Sequence, residues 1–197
     1  MPLHVPPAPA PALRSVLAAL GSPAVREART PALRSAPGPL SPEHPLPVHV
    51  LGVAPGGLAP ATRLAAWRFQ IRSSERAVAA ADTMLTADGW AFSHFFEGPY
   101  IASTELALRQ ADGMTGPYQP RLLSIPDLYM LALWLHGDPA ADASCGAPDP
   151  DDMLVPLSPA PPGFAAHRPH RAADLLPVIT TRITRGPGPL LGSPAPA

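Results

Sequence analysis

The sequence predicts a small α+β domain with a mainly antiparallel sheet of four or five strands and one long helix packed on one face. Ten of the eleven aromatic residues lie within residues 48–136, and aromatic side chains dominate hydrophobic cores. Twelve of the 31 prolines lie in residues 1–47 and thirteen in residues 137–197. Because proline lacks a backbone N–H and interrupts ladders and helices, the aromatic centre is the predicted folded unit.

This distribution sets the predicted domain boundaries. Residues 1–47 are expected to form a disordered Pro/Ala-rich tail, residues 48–180 a single α+β domain, and residues 181–197 a second disordered tail. The segment 137–152, rich in Asp, Ala, Pro and Gly, is expected to be a flexible loop. Within the first tail, a short helix over residues 11–20 is compatible with proline in its first turn.

Three strands joined by short polar turns form a predicted meander, after a first strand over residues 48–53. Residues 65–72 alternate between an apolar and a polar set, as a half-buried strand does. The two sets are Ala65, Trp67, Phe69 and Ile71, and Arg68, Gln70 and Arg72. Residues 76–83 are interpreted as the second strand, although their Ala-rich sequence is also compatible with a helix. The Asp88-Gly89 turn marks a hairpin. The residues predicted to share one face of the third strand are Trp90, Phe92, His94 and Phe96.

One helix follows the meander. Pro99 is suited to a helix start, and Gly113 is expected to end the helix in a left-handed conformation. The intervening residues place an apolar stripe at spacings of three and four, which is typical of a helix packed on one side. The stripe consists of Ile101, Thr104, Leu108 and Ala111.

The remaining elements are shorter. Residues 128–135 are apolar at both parities, which indicates either a strand covered on both faces or a buried helix, and their length favours the strand. Residues 153–157 can add a last short strand. Residues 171–182 predict a terminal helix that Pro177 would interrupt.

Composition excludes several kinds of chemistry. All 14 basic residues are arginine, so the chain has no lysine for a Walker A loop or a Schiff base. The net charge of -1 argues against general nucleic-acid binding, which needs a basic surface. The single cysteine, Cys145, excludes an intrachain disulfide and a multi-cysteine metal site. We therefore expect no cofactor.

No membrane span and no secretion signal are expected. The longest apolar run, residues 128–135, is far shorter than the roughly 20 residues of a bilayer-spanning helix. Residues 1–11 are proline-rich and lack the basic start of a signal peptide. These observations predict a cytoplasmic protein.

The polar face of the strand at residues 65–72 is a candidate ligand or partner surface. Arg68 and Arg72 flank Gln70 on it, and such a pair of arginines could hold a carboxylate or a phosphate. The alternative is a solvated strand face covered by the helix or by its acidic residues Glu105 and Asp112.

The other polar groups form no recognisable catalytic pattern. His94 joins the candidate surface, although a hydrogen-bonded core or edge histidine is the favoured interpretation; Glu97, three positions on, points to the opposite strand face. His167 and His170 lack an adjacent acid. Acidic neighbours make Cys145 a poor nucleophile. A solvated linker, with weak divalent-cation binding as the alternative, is predicted for the five aspartates Asp138, Asp142, Asp149, Asp151 and Asp152.

Four segments carry a resemblance to other proteins. They are WRFQIR at 67–72, SHFFEGP at 93–99, YQPRLLSIPDLYMLALWL at 118–135 and VPLSPAPPG at 155–163. Over roughly residues 65–180, the chain resembles a group of uncharacterised hypothetical proteins of GC-rich bacteria. The resemblance implies a folded unit that ends near residue 180, and it implies no catalytic residue.

These observations predict a non-catalytic binding or interaction module. The predicted core of about ninety residues is small for an enzyme with an enclosed pocket. A small His/Asp-dependent hydrolase or metal-binding enzyme is the alternative. Self-association is a third interpretation, because the apolar strand at residues 128–135 could be covered by a second copy.

Overall fold

The computed structural model describes residues 3–27, 29–52, 61–74 and 76–185. Its strands are β1 (Leu40–Gly52), β2 (Ala61–Ser73), β3 (Arg76–Thr86), β4 (Gly89–Phe96), β5 (Gln119–Ile125), β6 (Met130–His136), β7 (Met153–Pro156) and β8 (His170–Arg171). Its helices are α1 (Ala10–Leu20), α2 (Ala24–Glu27), α3 (Pro31–Arg34), α4 (Pro99–Asp112) and α5 (Ala172–Arg185). Within these described ranges, none of the helices combines the length and the apolar character needed to cross a bilayer.

All eight described strands form one mixed sheet in the order β4-β3-β2-β1-β5-β6-β7-β8. Strands β1 to β4 form an antiparallel meander on one side of the sheet. The chain then crosses through α4 and returns beside β1 as β5, parallel to it; such a connection is usual between parallel strands. The predicted sheet of four or five strands with one long helix is therefore wrong, although the predicted meander is present.

Strand β1 accounts for much of this difference, since its first half lies in the segment 1–47 that was expected to be disordered. Pro42, Pro45 and Pro47 fall inside it. Strand β5 pairs with β1 only over residues 48–50, so among the described residues the preceding part of β1 has one edge without a neighbouring strand. Sheets tolerate proline at such an edge and at bulges, and β1 has an irregularity in its register between Glu43 and Leu46.

Helix α1 also lies in that segment, and it covers the meander. Ala12 and Val16 are fully buried in one cluster with Trp67 and Phe69 of β2. The helix predicted over residues 11–20 is confirmed, with a proline in its first turn. Residues 10–20 therefore contribute directly to the hydrophobic core.

Strand β6 is the most deeply buried strand, and its two faces contribute to different clusters. Alternate residues Leu131, Leu133 and Leu135 pack with α4. The intervening residues Met130, Ala132 and Trp134 pack with α5. The strand favoured for residues 128–135 is confirmed over residues 130–135, where helices of the same chain cover both faces, whereas Leu128 lies in a short 3-10 helix.

Helix α5 extends further than the sequence indicates. It continues through Pro177 to Arg185, beyond the boundary expected at residue 180. A proline in a helix interior removes one backbone hydrogen bond, and the burial of Leu175 and Ile179 offsets that loss. Residues 186–197, most of the predicted second tail, lie outside the described residues.

Helix α4 matches its prediction except at its end. It begins at Pro99, and the four residues of the predicted stripe are buried. Gly113 does end the helix, but its φ of -82° is right-handed, so the expected left-handed stop is wrong. In the β3–β4 hairpin, by contrast, Gly89 has a φ of 107°, which glycine adopts at little cost.

A β-bulge at Ser93 changes which residues of β4 share a face, because the β3–β4 register shifts there. Phe92 before the bulge and Phe95 after it both pack in the cluster that contains α1. His94 instead lies against the ring of Phe96, with centroids 5.5 Å apart. The single face predicted for the four alternating residues is therefore wrong, because an extra residue resets the two-residue alternation of a strand.

Candidate functional site

A cleft of about 790 Å³ lies between α4 and the neighbouring parts of β1 and β2, within the usual range of roughly 300–1,000 Å³ for ligand pockets. Two of its lining residues, His44 with φ 46° and Ser74 with φ 55°, have left-handed backbones without being glycine. Such strained positions are often found at ligand-binding sites. The remaining lining residues are Leu3, Val5, Glu43, Gln70, Arg72, Glu105, Leu108, Arg109 and Asp112.

Gln70 is the unusual member of this lining. The residue is only 2% exposed, and neither its Nε2 nor its Oε1 atom has a hydrogen-bond partner within the part of the chain that the structure describes. Buried polar groups are nearly always hydrogen-bonded, and leaving one unsatisfied costs about 1–3 kcal/mol. The cleft therefore contains an amide with unmet donor and acceptor capacity.

Ion pairs fix the charged side chains around Gln70. Arg72 Nη1 lies 2.8 Å from Glu105 Oε1, and Arg72 Nε lies 3.3 Å from Glu43 Oε2. Arg109 Nη1 approaches the same Glu105 oxygen at 3.7 Å. With Asp112, the described part of the lining contains three carboxylates against two guanidinium groups. The cleft is therefore better suited to a neutral or cationic ligand than to an anion.

The structure separates the four residues of the predicted ligand surface. Gln70 and Arg72 line the cleft together. Arg68 instead makes a bidentate contact with Asp82, with both N–O distances at 2.8 Å, and does not line the cleft. His94 is exposed on β4 at the end of the sheet. The carboxylates bound by the two arginines thus come from the chain itself.

A second cluster, on the α5 face of the sheet, surrounds Asp152, which is 2% exposed. Its Oδ2 atom accepts hydrogen bonds from Trp134 Nε1 at 2.7 Å and the Asp149 N–H at 2.9 Å, and lies 2.8 Å from His136 Nδ1. Its Oδ1 atom accepts the Gly137 N–H at 2.9 Å. One carboxylate therefore joins the end of β6 to the loop before β7.

This cluster has the composition of a metal site, since ligand atoms of His136, Asp149 and Asp152 lie within 4.8 Å of one another. Metal binding requires lone pairs that are not already engaged. The Asp152 oxygens face four polar hydrogen-bonding atoms, and one of them is the His136 nitrogen itself. The geometry favours a hydrogen-bonded network over a cation site.

Arg121 is a buried side chain that hydrogen-bonds to the loop over residues 137–152. This residue is 1% exposed, and it donates to the Cys145 carbonyl at 2.7 Å and the Asp142 carbonyl at 3.2 Å. Its Nε donates to Gln119 Oε1 at 2.8 Å, and its guanidinium lies 4.7 Å from the centre of the Trp134 ring. Burial lowers the pKa of Arg121, and nearby carboxylates oppose that shift.

Two other polar residues singled out in the sequence, Cys145 and His167, have hydrogen-bond partners. The exposed Cys145 thiol donates to Asp142 Oδ2 at 3.1 Å. Hydrogen bonds from the Ser144 N–H and hydroxyl, followed by the one from this thiol, lower the pKa of Asp142 to about 2. His167 Nε2 lies 3.1 Å from Ser103 Oγ, while His170 is in β8.

Sequence analysis did not identify His49, which is 1% exposed. Its Nε2 lies 3.0 Å from the Ala143 carbonyl, and its Nδ1 has no partner among the described residues. Burial lowers the pKa of His49; the hydrogen bond to Ala143 opposes the shift, and the charge of Arg121 adds to it. His49 is therefore a second attachment point of the loop, in its neutral form.

We expect His49 to make the stability of the protein depend on pH below about 6.5, the ordinary pKa of a histidine side chain. In that range the unfolded chain binds a proton that His49 of the folded protein does not bind. The free energy of unfolding therefore decreases as the pH is lowered, by up to about 1.4 kcal/mol per pH unit. Urea denaturation between pH 8 and pH 5 should show a flatter profile in H49Q, which keeps an N–H donor. The control is H94Q, which changes an exposed histidine and should keep the pH profile of the unsubstituted protein. An H49Q profile as steep as these two would contradict this role of His49.

Comparisons with protein families, with curated proteins and with solved structures find no match to this chain.

Proposed function

We propose that this protein is a non-catalytic binding module whose cleft between α4 and strands β1 and β2 takes a small polar ligand at Gln70. The observation that carries the proposal is the buried amide of Gln70 without a hydrogen-bond partner among the described residues. A binding protein can carry such a group because the ligand supplies the missing partners. The two left-handed residues of the lining give independent support.

The variant Q70M should separate stability from binding. Methionine removes the unsatisfied amide while keeping a flexible side chain of similar length, so we expect the unliganded protein to gain about 1–3 kcal/mol. Crystallographic fragment screening, which locates each bound molecule, should find occupants of the cleft in the unsubstituted protein. The same fragments should be lost from Q70M.

The chain offers a matched control in Gln119, which is equally buried at 2% but fully bonded. Its amide donates to the carbonyls of Pro139 and Ala141 and accepts from Arg121. We therefore expect Q119M to be destabilised, in contrast to Q70M. A destabilised Q70M, or a cleft that takes no fragment, would contradict the proposed function.

A His/Asp-dependent hydrolase is the second candidate. It draws on one observation, the 2.8 Å pairing of His136 Nδ1 with Asp152, because a carboxylate commonly orients a catalytic histidine in this way. Across the described ranges, however, His136 has no hydrogen bond to a hydroxyl or a thiol that could act as a nucleophile. The binding module therefore has the stronger support.

A further inference from the structure

We propose that the ligand of the cleft is a short peptide that carries an asparagine or glutamine side chain next to a basic residue. This inference rests on the proposed function, because it names the ligand class of the same site. It combines the chemistry of the Gln70 amide with the charge and the apolar content of the lining.

Nε2 and Oε1 of Gln70 are both buried, so a ligand pairs with this amide only after the side chains that cover it move aside. An amide side chain offers an N–H donor and a carbonyl acceptor on one planar edge, and both are unmatched among the described residues. The complementary group must also present one donor and one acceptor side by side. A second carboxamide does this, whereas a carboxylate offers only acceptors and an ammonium group only donors.

The charged side chains of the lining disfavour phosphate-bearing ligands and favour a basic residue beside the carboxamide of the ligand. Glu105 and Glu43 already contact Arg72, so its charge is balanced within the protein. Glu43 keeps 44% of its side chain exposed and is accessible to an arriving cation. An arginine of the ligand can form a bidentate contact with such a carboxylate.

The apolar part of the lining favours a peptide over a nucleoside. Leu3, Val5 and Leu108 provide aliphatic contacts, and no Phe, Tyr or Trp is among the described lining residues. A nucleobase would gain most from stacking on an aromatic ring.

One wall of the cleft is itself a peptide segment held by its backbone. The Leu3 N–H donates to Asp112 Oδ1 at 3.1 Å, and the His4 N–H donates to the Tyr118 carbonyl at 2.9 Å. A peptide backbone therefore packs against this end of α4, although these two acceptors are themselves already engaged by the chain.

Calorimetric titration of the full chain with blocked tetrapeptides tests this inference. The probes are acetyl-Ala-Gln-Arg-Ala-amide and two comparators in which Glu or Met replaces Gln. We expect the Gln peptide to bind at least about tenfold more tightly than either comparator, since an unpaired buried polar group is costly. In Q70M, the Gln and Met peptides should bind within about twofold of each other.

Two further variants keep the test decisive. E43Q should weaken the binding of all three arginine peptides but preserve the preference for the Gln peptide. Q110M changes an exposed glutamine of α4 outside the cleft, and it should change neither the affinities nor the preference. Equal binding of the three peptides, or a preference that survives in Q70M, would overturn the inference. If fragments occupy the cleft but no peptide binds, the peptide inference falls and the binding module stands; if neither binds, both fall.

Discussion

The variant D152N is expected to lose about 3–5 kcal/mol of unfolding free energy, the range observed when one partner of a buried charged network is removed. The Asp152 carboxylate is buried and has polar groups on both oxygens, including the ring nitrogens of Trp134 and His136. An asparagine replaces one oxygen with an NH2 group. Whichever way that amide is turned, a donor then faces a donor.

Urea denaturation at neutral pH measures this loss, and D151N is the matched control. Asp151 is the preceding residue, with 81% of its side chain exposed and an ion pair to Arg171, and exposed pairs contribute about 0–1 kcal/mol. Similar losses in the two variants would show that the network around Asp152 does not stabilise the fold. A Zn²⁺-dependent rise in stability that is absent from D152N would instead favour a cation site.

The sequence was sufficient to predict the elements whose signals are local. The alternation in β2, the hairpin turn before β4 and the apolar stripe of α4 each lie within one stretch of chain, and the structure contains all three. The first half of β1 was missed, because its prolines indicate disorder unless one knows which of its edges is unpaired. That information resides in β5, about seventy residues later in the chain, and no local pattern contains it.

The candidate site shows the same division. Alternation correctly placed Gln70 and Arg72 on one strand face, since that depends only on the two-residue period of β2. The partners that distinguish Arg72 from Arg68 are Glu105 of α4 and Asp82 of β3, which depend on tertiary packing and on strand register. The network of Asp152 was missed for the same reason, because the β6–β7 register brings it to His136.

The variant R121M is expected to open the loop over residues 137–152 while changing global stability by no more than about 1–2 kcal/mol. The hydrogen-bond acceptors of Arg121 among the described residues are neutral oxygens, of Gln119, Asp142 and Cys145, so no ion pair within that part of the chain repays the cost of burying its charge. Removing a buried charge recovers the cost of its desolvation, and this gain offsets part of the hydrogen bonding that R121M loses. The loop, however, loses two hydrogen bonds to a charged donor, each worth about 1.5–3 kcal/mol.

Hydrogen exchange followed by mass spectrometry distinguishes local from global effects. We expect exchange in peptides covering residues 137–152 to accelerate by about a hundredfold in R121M, because a local opening energy lowered by about 3 kcal/mol has that consequence. R68M should show the opposite pattern: it strips Asp82, with 14% of its side chain exposed, of a bidentate partner, and so lowers global stability without affecting the loop. Unchanged loop exchange in R121M would mean that His49, Gln119 and the Asp152 network hold the loop without Arg121.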